Sequence, residues 1–344
     1  MTSLSTSLSK ARISRRGFIA GSSATIFAGL SVGRAIGAEF SYKLATDMPL
    51  SDPMNVRFTA AIEAIARDTD GRLAIRLFPN SQLGTISEEL DQVRSGALEF
   101  YCCGYGNQMP IAPLAGINSL AFAWSGYDRI WPAMDGELGA FLAAEVAKTG
   151  TILHVAKPMN VGFRQITSGA RAIVEPADLK GMKIRVPPAP ILVTLFTSLG
   201  ASPTSLSYGE LYPALQTGLV DGSDNPLWTL NAMRVYEVQR HVTITNHSWD
   251  AFVPVANRRA WSRLPADVQD IVTRRFTEAA LGQREDIAKE EAEAERSLIA
   301  HGITIHRPTD GLFKDALSRT AYYPTWREKI GPAGWAVLQK TARV

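Results

Sequence analysis

The stretch Pro176-Ala177-Asp178-Leu179-Lys180-Gly181-Met182-Lys183-Ile184-Arg185-Val186-Pro187 reads as a capped turn followed by a short strand that carries Arg185 between two apolar neighbours. A buried arginine without a partner costs several kcal/mol, so this one needs a carboxylate. Either a structural carboxylate meets it or a ligand does, since the planar guanidinium fork matches two carboxylate oxygens. About 25 residues on, Leu211-Tyr212-Pro213-Ala214-Leu215-Gln216-Thr217-Gly218-Leu219-Val220-Asp221-Gly222 runs into Asp224-Asn225-Pro226. A helix closes at Gly218, a short strand follows, and Pro226 holds Asn225 extended.

The same rhythm extends towards the N-terminus. A first strand over Phe40 to Thr46 precedes Ser51-Asp52-Pro53, a cap with a proline suited to the first helical turn, and Phe58, Ile62 and Ile65 follow at helical spacing. Gly71 ends that helix, and Arg72, Ala74 and Arg76 then alternate with Leu73, Ile75 and Leu77, which predicts a half-buried strand. After a turn at Asn80 to Gly84, Thr85 and Glu88 have capping-box spacing, and Gly96 closes the helix ahead of a strand at Leu98 to Cys103. A helix near Tyr127 to Lys148, a strand at Thr151 to Ala156 and a second region of short elements from Val161 to Asn246 continue the order. Alternating strands and helices predict an α/β fold whose mainly parallel sheets are covered on both faces. There are more strands than one sheet easily absorbs. Pro265 to Ala300 has a single glycine, Gly282, and no proline after Pro265; as one helix it would run about 54 Å, long enough to brace two lobes. No Gly/Ser linker stands out, so the chain is expected to cross between lobes through ordered strands.

Of 344 residues, 46% are hydrophobic and 20% charged, which is ordinary globular composition and excludes disordered, collagenous and disulfide-scaffold classes. The formal charge is +3, but Lys10, Arg12, Arg15, Arg16 and Arg34 precede Glu39, the first acidic residue; beyond them 31 basic residues face 33 acidic ones. No cluster of Lys and Arg remains to neutralise phosphates, so no nucleic-acid partner is expected. Ser14-Arg15-Arg16-Gly17-Phe18-Ile19 opens an uncharged stretch to Val32 rich in Gly, Ala and Ser, the layout of a twin-arginine export signal, with residues 1–38 removed after Ala38. Cys102 and Cys103 are adjacent and too close to pair with each other. They are expected on a buried strand.

Export through a twin-arginine route also suits a cofactor-loaded oxidoreductase, but the motifs for one are absent. The sequence has no Gly-x-Gly-x-x-Gly, P-loop, His-Glu-x-x-His, Gly-x-Ser-x-Gly or Cys-x-x-Cys. His301 and His306 straddle Gly302 without partner cysteines, and His154 reads as a core residue on an apolar strand. What remains is a set of polar and aromatic residues at strand ends and turns, where open α/β sheets place ligands.

Taken in order, Phe78-Pro79-Asn80-Ser81-Gln82-Leu83-Gly84, Gly162-Phe163-Arg164-Gln165, Asp178 to Pro187, Ala214-Leu215-Gln216-Thr217-Gly218, Val220-Asp221-Gly222 and Asn225-Pro226 resemble the solute-binding subunit of tripartite ATP-independent periplasmic (TRAP) transporters, the DctP family. The resemblance implies a periplasmic, non-enzymatic receptor of two α/β lobes, with a long helix contacting both and a ligand enclosed between them. It divides the mature chain into one lobe of residues 39–161 plus 251–290 and another of 162–250 plus 291–344. Carried over by position, Arg185 matches the arginine that clamps the substrate carboxylate and Asn225 a residue bonding the same group. Arg164 matches a second arginine that contacts ligand or supports Arg185, unless it serves a structural salt bridge. Asp47, Tyr208 and His247 fall where family members line the cleft. Phe163 and Trp228, which flank the expected anchors, favour a compact acid with an aromatic or branched apolar body over a large sugar acid. Asp224-Asn225-Pro226 stands where the metal-dependent members carry an acidic residue and Trp, so no metal or cofactor is expected. The implied partners are a small carboxylate and the small and large membrane subunits of the transporter. A monomer is expected, although Tyr322 to Val344 is also compatible with pairing through exchanged C-terminal helices. A sugar acid or C4-dicarboxylate as ligand, a receptor for an ATP-driven importer, and an exported oxidoreductase are the alternatives.

Overall fold

The computed structural model describes residues 38–342; the twin-arginine segment lies outside them. In chain order the strands are β1 (Phe40–Thr46), β2 (Leu73–Phe78), β3 (Phe100–Gly104), β4 (Ile152–His154), β5 (Met159–Phe163), β6 (Gln165–Ser168), β7 (Lys183–Val186), β8 (Ser202–Ser205), β9 (Gly222–Asn225), β10 (His241–Thr243), β11 (Trp249–Asn257) and β12 (Thr304–His306). They form two six-stranded sheets. The first has the order β2-β1-β3-β11-β4, with β5 also on β11; the second is β12-β10-β6-β9-β7-β8.

Local sequence accounts for most of these elements. β3, at Phe100 to Gly104, is buried throughout because it lies between β1 and β11, whereas edge strand β2 alternates buried Leu73 and Ile75 with exposed Ala74 and Arg76. Helix Pro53–Asp68 starts on Asp52, whose carboxylate accepts the Met54 N–H at 2.8 Å. Helix Ile86–Ser95 has the Thr85/Glu88 capping box and ends on Gly96 at φ +88°. The helix expected over Tyr127 to Lys148 is two, Tyr127–Met134 and Glu137–Ala147, because Gly136 departs from helical geometry and starts the second. Cys102 and Cys103 are buried free thiols.

Strand direction reveals how the lobes are joined. In the first sheet only β11 runs against its neighbours β3, β4 and β5; in the second only β6 runs against β10 and β9. Both odd strands have just arrived from the other lobe. β6 follows β5 after the single residue Arg164, and β11 follows β10 after residues 244–248. The two crossings are tied by a hydrogen bond from Arg164 N–H to Ser248 O at 2.9 Å. The β5–β11 ladder pairs Trp249 with Phe163, so first-lobe pairing runs past the divisions at 161/162 and 250/251.

A third connection is the 35-residue helix Ala266–Ala300, about 52 Å long. It packs on helix Pro53–Asp68 of the first lobe and helix Leu227–Ala232 of the second. Arg57 makes a two-pronged bond to Asp286 at 2.7 and 2.8 Å, and Ser297 Oγ donates to Asn231 Oδ1 at 2.6 Å. The C-terminal segment Tyr322–Thr341, two helical stretches broken at Gly331 and placed with the second lobe by the sequence, bridges both. Tyr323 donates to Ala121 O at 3.0 Å and Trp326 Nε1 to Thr194 Oγ1 at 2.8 Å, because its buried aromatic face needs cover that neither lobe supplies alone.

Candidate functional site

The strand ends converge on a cavity between the two sheets, with about 50 Å³ of room. The first lobe contributes Asp47 at the end of β1, Ile86 at the start of a helix, Gly104 and Asn107 after β3, Val161 from β5, and Asp250 and Phe252 from β11. Across it stand Arg185 on β7, Tyr208, Asn225 at the end of β9, Pro226, Trp228 and Thr229, with Arg164 at the crossing. The lobes touch around this space: Trp228 Nε1 donates to Val161 O at 2.6 Å and Asn107 Nδ2 to Pro188 O at 3.4 Å. Gly104 is a close-approach position, since a Cβ there would sit 2.7 Å from Asn107 Oδ1 and 3.2 Å from Asp250 Oδ2.

Arg185 is 2% exposed. Its Nε and Nη2 both donate to Leu206 O, at 2.9 and 2.6 Å, and no carboxylate among the described residues pairs with it. Of the two partners the sequence left open, no structural carboxylate is found among the described residues. Burial pulls the guanidinium pKa down to about 10, although Asp224's charge opposes the fall. Beside it, Asn225 Oδ1 is buried without a hydrogen-bond partner.

Arg164 is held quite differently. Its Nε donates to Asp224 Oδ2 at 2.7 Å, and its Nη2 to Asp224 Oδ1 at 3.1 Å and Asp224 O at 2.7 Å. Burial works against both charges, but their mutual attraction outweighs it: Arg164 stays protonated and Asp224 lies below the usual carboxylate range. This is the structural salt bridge, and it sits at the cavity's edge next to Asn225. His247 is buried behind it, with Nε2 3.5 Å from Asp224 Oδ2 and Nδ1 2.7 Å from Thr245 Oγ1; burial lowers its pKa. His247 does not line the cavity. Neither does Phe163, which packs edge-on to Tyr127 and faces a separate hollow with Phe122 and Asn246.

Asp47, Tyr208 and Trp228 do line the cavity. Asp47 is 4% exposed, its Oδ1 has no partner, and burial raises its carboxyl from 3.8 to about 6. Sequence reasoning missed Asp250, Asn107 and Glu89. Asp250 carried a signal, a lone acid in an otherwise apolar strand; its Oδ1 accepts from Asn118 Nδ2 at 3.1 Å and Ala251 N–H at 2.8 Å. Glu89 carried none, because in a capped amphipathic helix it reads as one more surface acid. It is fully buried with neither oxygen bonded, and burial, together with the nearby Asp47 charge, pushes it to about 8.

The model of bacterial extracellular solute-binding protein family 7, DctP, matches residues 44–328. A solute-binding protein of Roseobacter denitrificans is 30% identical over 313 residues, 90% of this chain and 94% of that one. The C4-dicarboxylate-binding periplasmic protein DctP of Rhodobacter capsulatus is 30% identical over 265 residues, 76% and 77% of the two chains. A crystal structure of a TRAP periplasmic solute-binding protein from Roseobacter denitrificans with bound β-D-glucuronate superposes with a TM-score of 0.82 at 27% identity, covering 88% of this chain and 99% of that one. The family consists of receptors rather than enzymes. With two lobes, strand crossings and a polar cavity in place, this chain belongs to the DctP family and is a periplasmic solute-binding receptor of the TRAP type.

Proposed function

We propose that the cavity captures a small organic acid and that Arg185 and Asn225 hold its carboxylate. The observation that carries this is Arg185 itself: a buried cation that the fold brings to a cavity wall and leaves without an anion. A ligand carboxylate supplies the missing charge, while Leu206 O fixes the guanidinium plane so that little freedom is lost on binding. Asn225 offers its amide to the same group. Trp228, Pro226, Val161 and Phe252 give the cavity apolar faces, which suit the carbon skeleton of a compact acid. Arg164 supports this anchor through Asp224 rather than touching the ligand, and His247 acts behind Asp224.

The lobes, divided at the β5–β6 and β10–β11 crossings rather than at 161/162 and 250/251, close about those crossings. Ligand contacts to both favour the closed state, and only that difference in affinity can shift the equilibrium. The loaded receptor, exported as a monomer on its twin-arginine signal, delivers its cargo to the membrane subunits. The test is calorimetric titration with a panel of small organic acids against wild type and Arg185→Ala. Loss of a charge-assisted anchor is expected to weaken binding by roughly 2–5 kcal/mol. Unchanged affinity of the variant would sink the assignment.

A further inference from the structure

The two ends of the cavity have opposite chemistry. Arg185 lies on the second-lobe wall and pairs with no carboxylate there or across the space. From the first lobe come Asp47 and Asp250, with no Lys, Arg or His among its lining residues. Asp47 Oδ1 is buried and has no hydrogen-bond partner. Near this wall Glu89 and the Tyr101 hydroxyl are also buried and without partners, and both lie within reach of the Asp47 charge. The Asn107 amide is already engaged: its Oδ1 accepts from Gly104 N–H at 3.1 Å and its Nδ2 donates to Pro188 O. The side chains left to meet the far end of a ligand are therefore acceptors, and acidic ones.

Resting on the reading of Arg185 as the carboxylate anchor, we propose that this first-lobe wall selects a monocarboxylate whose far end bears hydrogen-bond donors, hydroxyl or ammonium, and rejects a second carboxylate. A carboxylate only accepts hydrogen bonds, so a dicarboxylate would set its second group against an acceptor wall of like charge. A hydroxyl or ammonium instead satisfies Asp47 Oδ1. Of the ligand types bound by this chain's relatives, a C4-dicarboxylate and a uronate, the wall thus disfavours the first.

The test titrates wild-type protein at pH 8 with matched acids that keep the anchor carboxylate and change only the far end: 4-hydroxybutyrate, 4-aminobutyrate and succinate, then gluconate, glucuronate and glucarate. Like charges brought together in a desolvated site disfavour binding by several kcal/mol, so the dicarboxylates should bind at least about 100-fold more weakly than their best donor-bearing counterparts. The hydroxyl and amino members say which donor is preferred. In Asp47→Asn the gap should narrow at least tenfold, with Asp250→Asn as the second variant should the first fail to fold. Dicarboxylates that bind within tenfold of their counterparts, and lose binding in Arg185→Ala, overturn the selection while leaving the anchor standing. Binding of none of the six overturns both.

Discussion

Arg185→Met should separate a binding arginine from a structural one, because it acts in opposite directions on stability and affinity. In the unliganded protein the guanidinium is buried and its pKa falls from the ordinary arginine value to about 10, a drop equivalent to about 3 kcal/mol held against the charged folded state. The sign follows from linkage. A base whose folded pKa is lowered destabilises the fold in full below about 10, and the effect vanishes only above its unfolded value. At pH 7 it is wholly present. Methionine fills the space of the arginine stem without a charge, but it abandons the two hydrogen bonds to Leu206 O, which gives back about 1–2 kcal/mol. The unliganded variant is therefore expected to be about 1–2 kcal/mol more stable, a rise in Tm of about 2–4 °C for a chain of this size. Paired thermal melts with and without the acid identified by titration are the assay. Ligand at 100 times its Kd stabilises wild type by about 2.7 kcal/mol, and this increment should disappear in the variant. A variant that instead loses about 3–5 kcal/mol, as when a buried ion pair is broken, and still responds to ligand, would refute the reasoning.

Arg164→Met should do what Arg185→Met does not: it strands Asp224, whose side chain is 0% exposed, and chemical denaturation should register a loss of about 3–5 kcal/mol. Glu89→Leu removes a buried carboxyl with two unbonded oxygens, and the denaturation midpoint should move up by the equivalent of about 1–3 kcal/mol; a fall would mean that Glu89 is bonded in solution. Burial raises Glu89 to about 8, Asp52 to about 7 and Glu291 to about 7. Each favours the fold below its unfolded pKa, and that contribution is lost as pH rises through the folded value. The unliganded protein should accordingly melt at higher temperature at pH 5 than at pH 8.5, and Glu89→Gln should flatten the upper part of that profile.

Where each local signal had a single physical solution, the sequence led to the structure. The Asp52-Pro53 cap, the Thr85/Glu88 box and the glycine-free run before and after Gly282 gave helix ends close to those observed, and the alternation at residues 72–77 gave β2 to within a residue. Helix Tyr127–Met134 retains Pro132, so proline alone did not mark the break nearby. At the site, Arg185 could be singled out because a charge between apolar neighbours on a short strand has to be answered by something. Arg164 could not be separated from it on that logic, since only the fold brings Asp224 within 2.7 Å. Asp250 and Glu89 depended on distant strands for their burial. His247 and Phe163 do not line the cavity, a matter of side-chain direction that spacing along the chain does not encode.

The crossing also explains why one ion pair sits where it does. Arg164 is the only residue between β5 and β6; its N–H holds Ser248 on the return crossing, and its side chain holds Asp224, immediately before the anchor Asn225. Pro226 follows, 3.2 Å from where a Cβ on Gly162 would stand. The two crossings and the ligand end of β9 are thus one cross-linked block, buried and low in dielectric, where such bonds are strong. Gly162 at φ +115° and Asn246 at φ +46° both belong to it, in the left-handed half of φ that glycine and asparagine adopt most readily. Such a node holds Asn225 in fixed relation to both crossings, as the proposed carboxylate anchor requires. On that proposal the anchor is in place before the ligand is enclosed, and the first-lobe wall then tests what else the ligand carries.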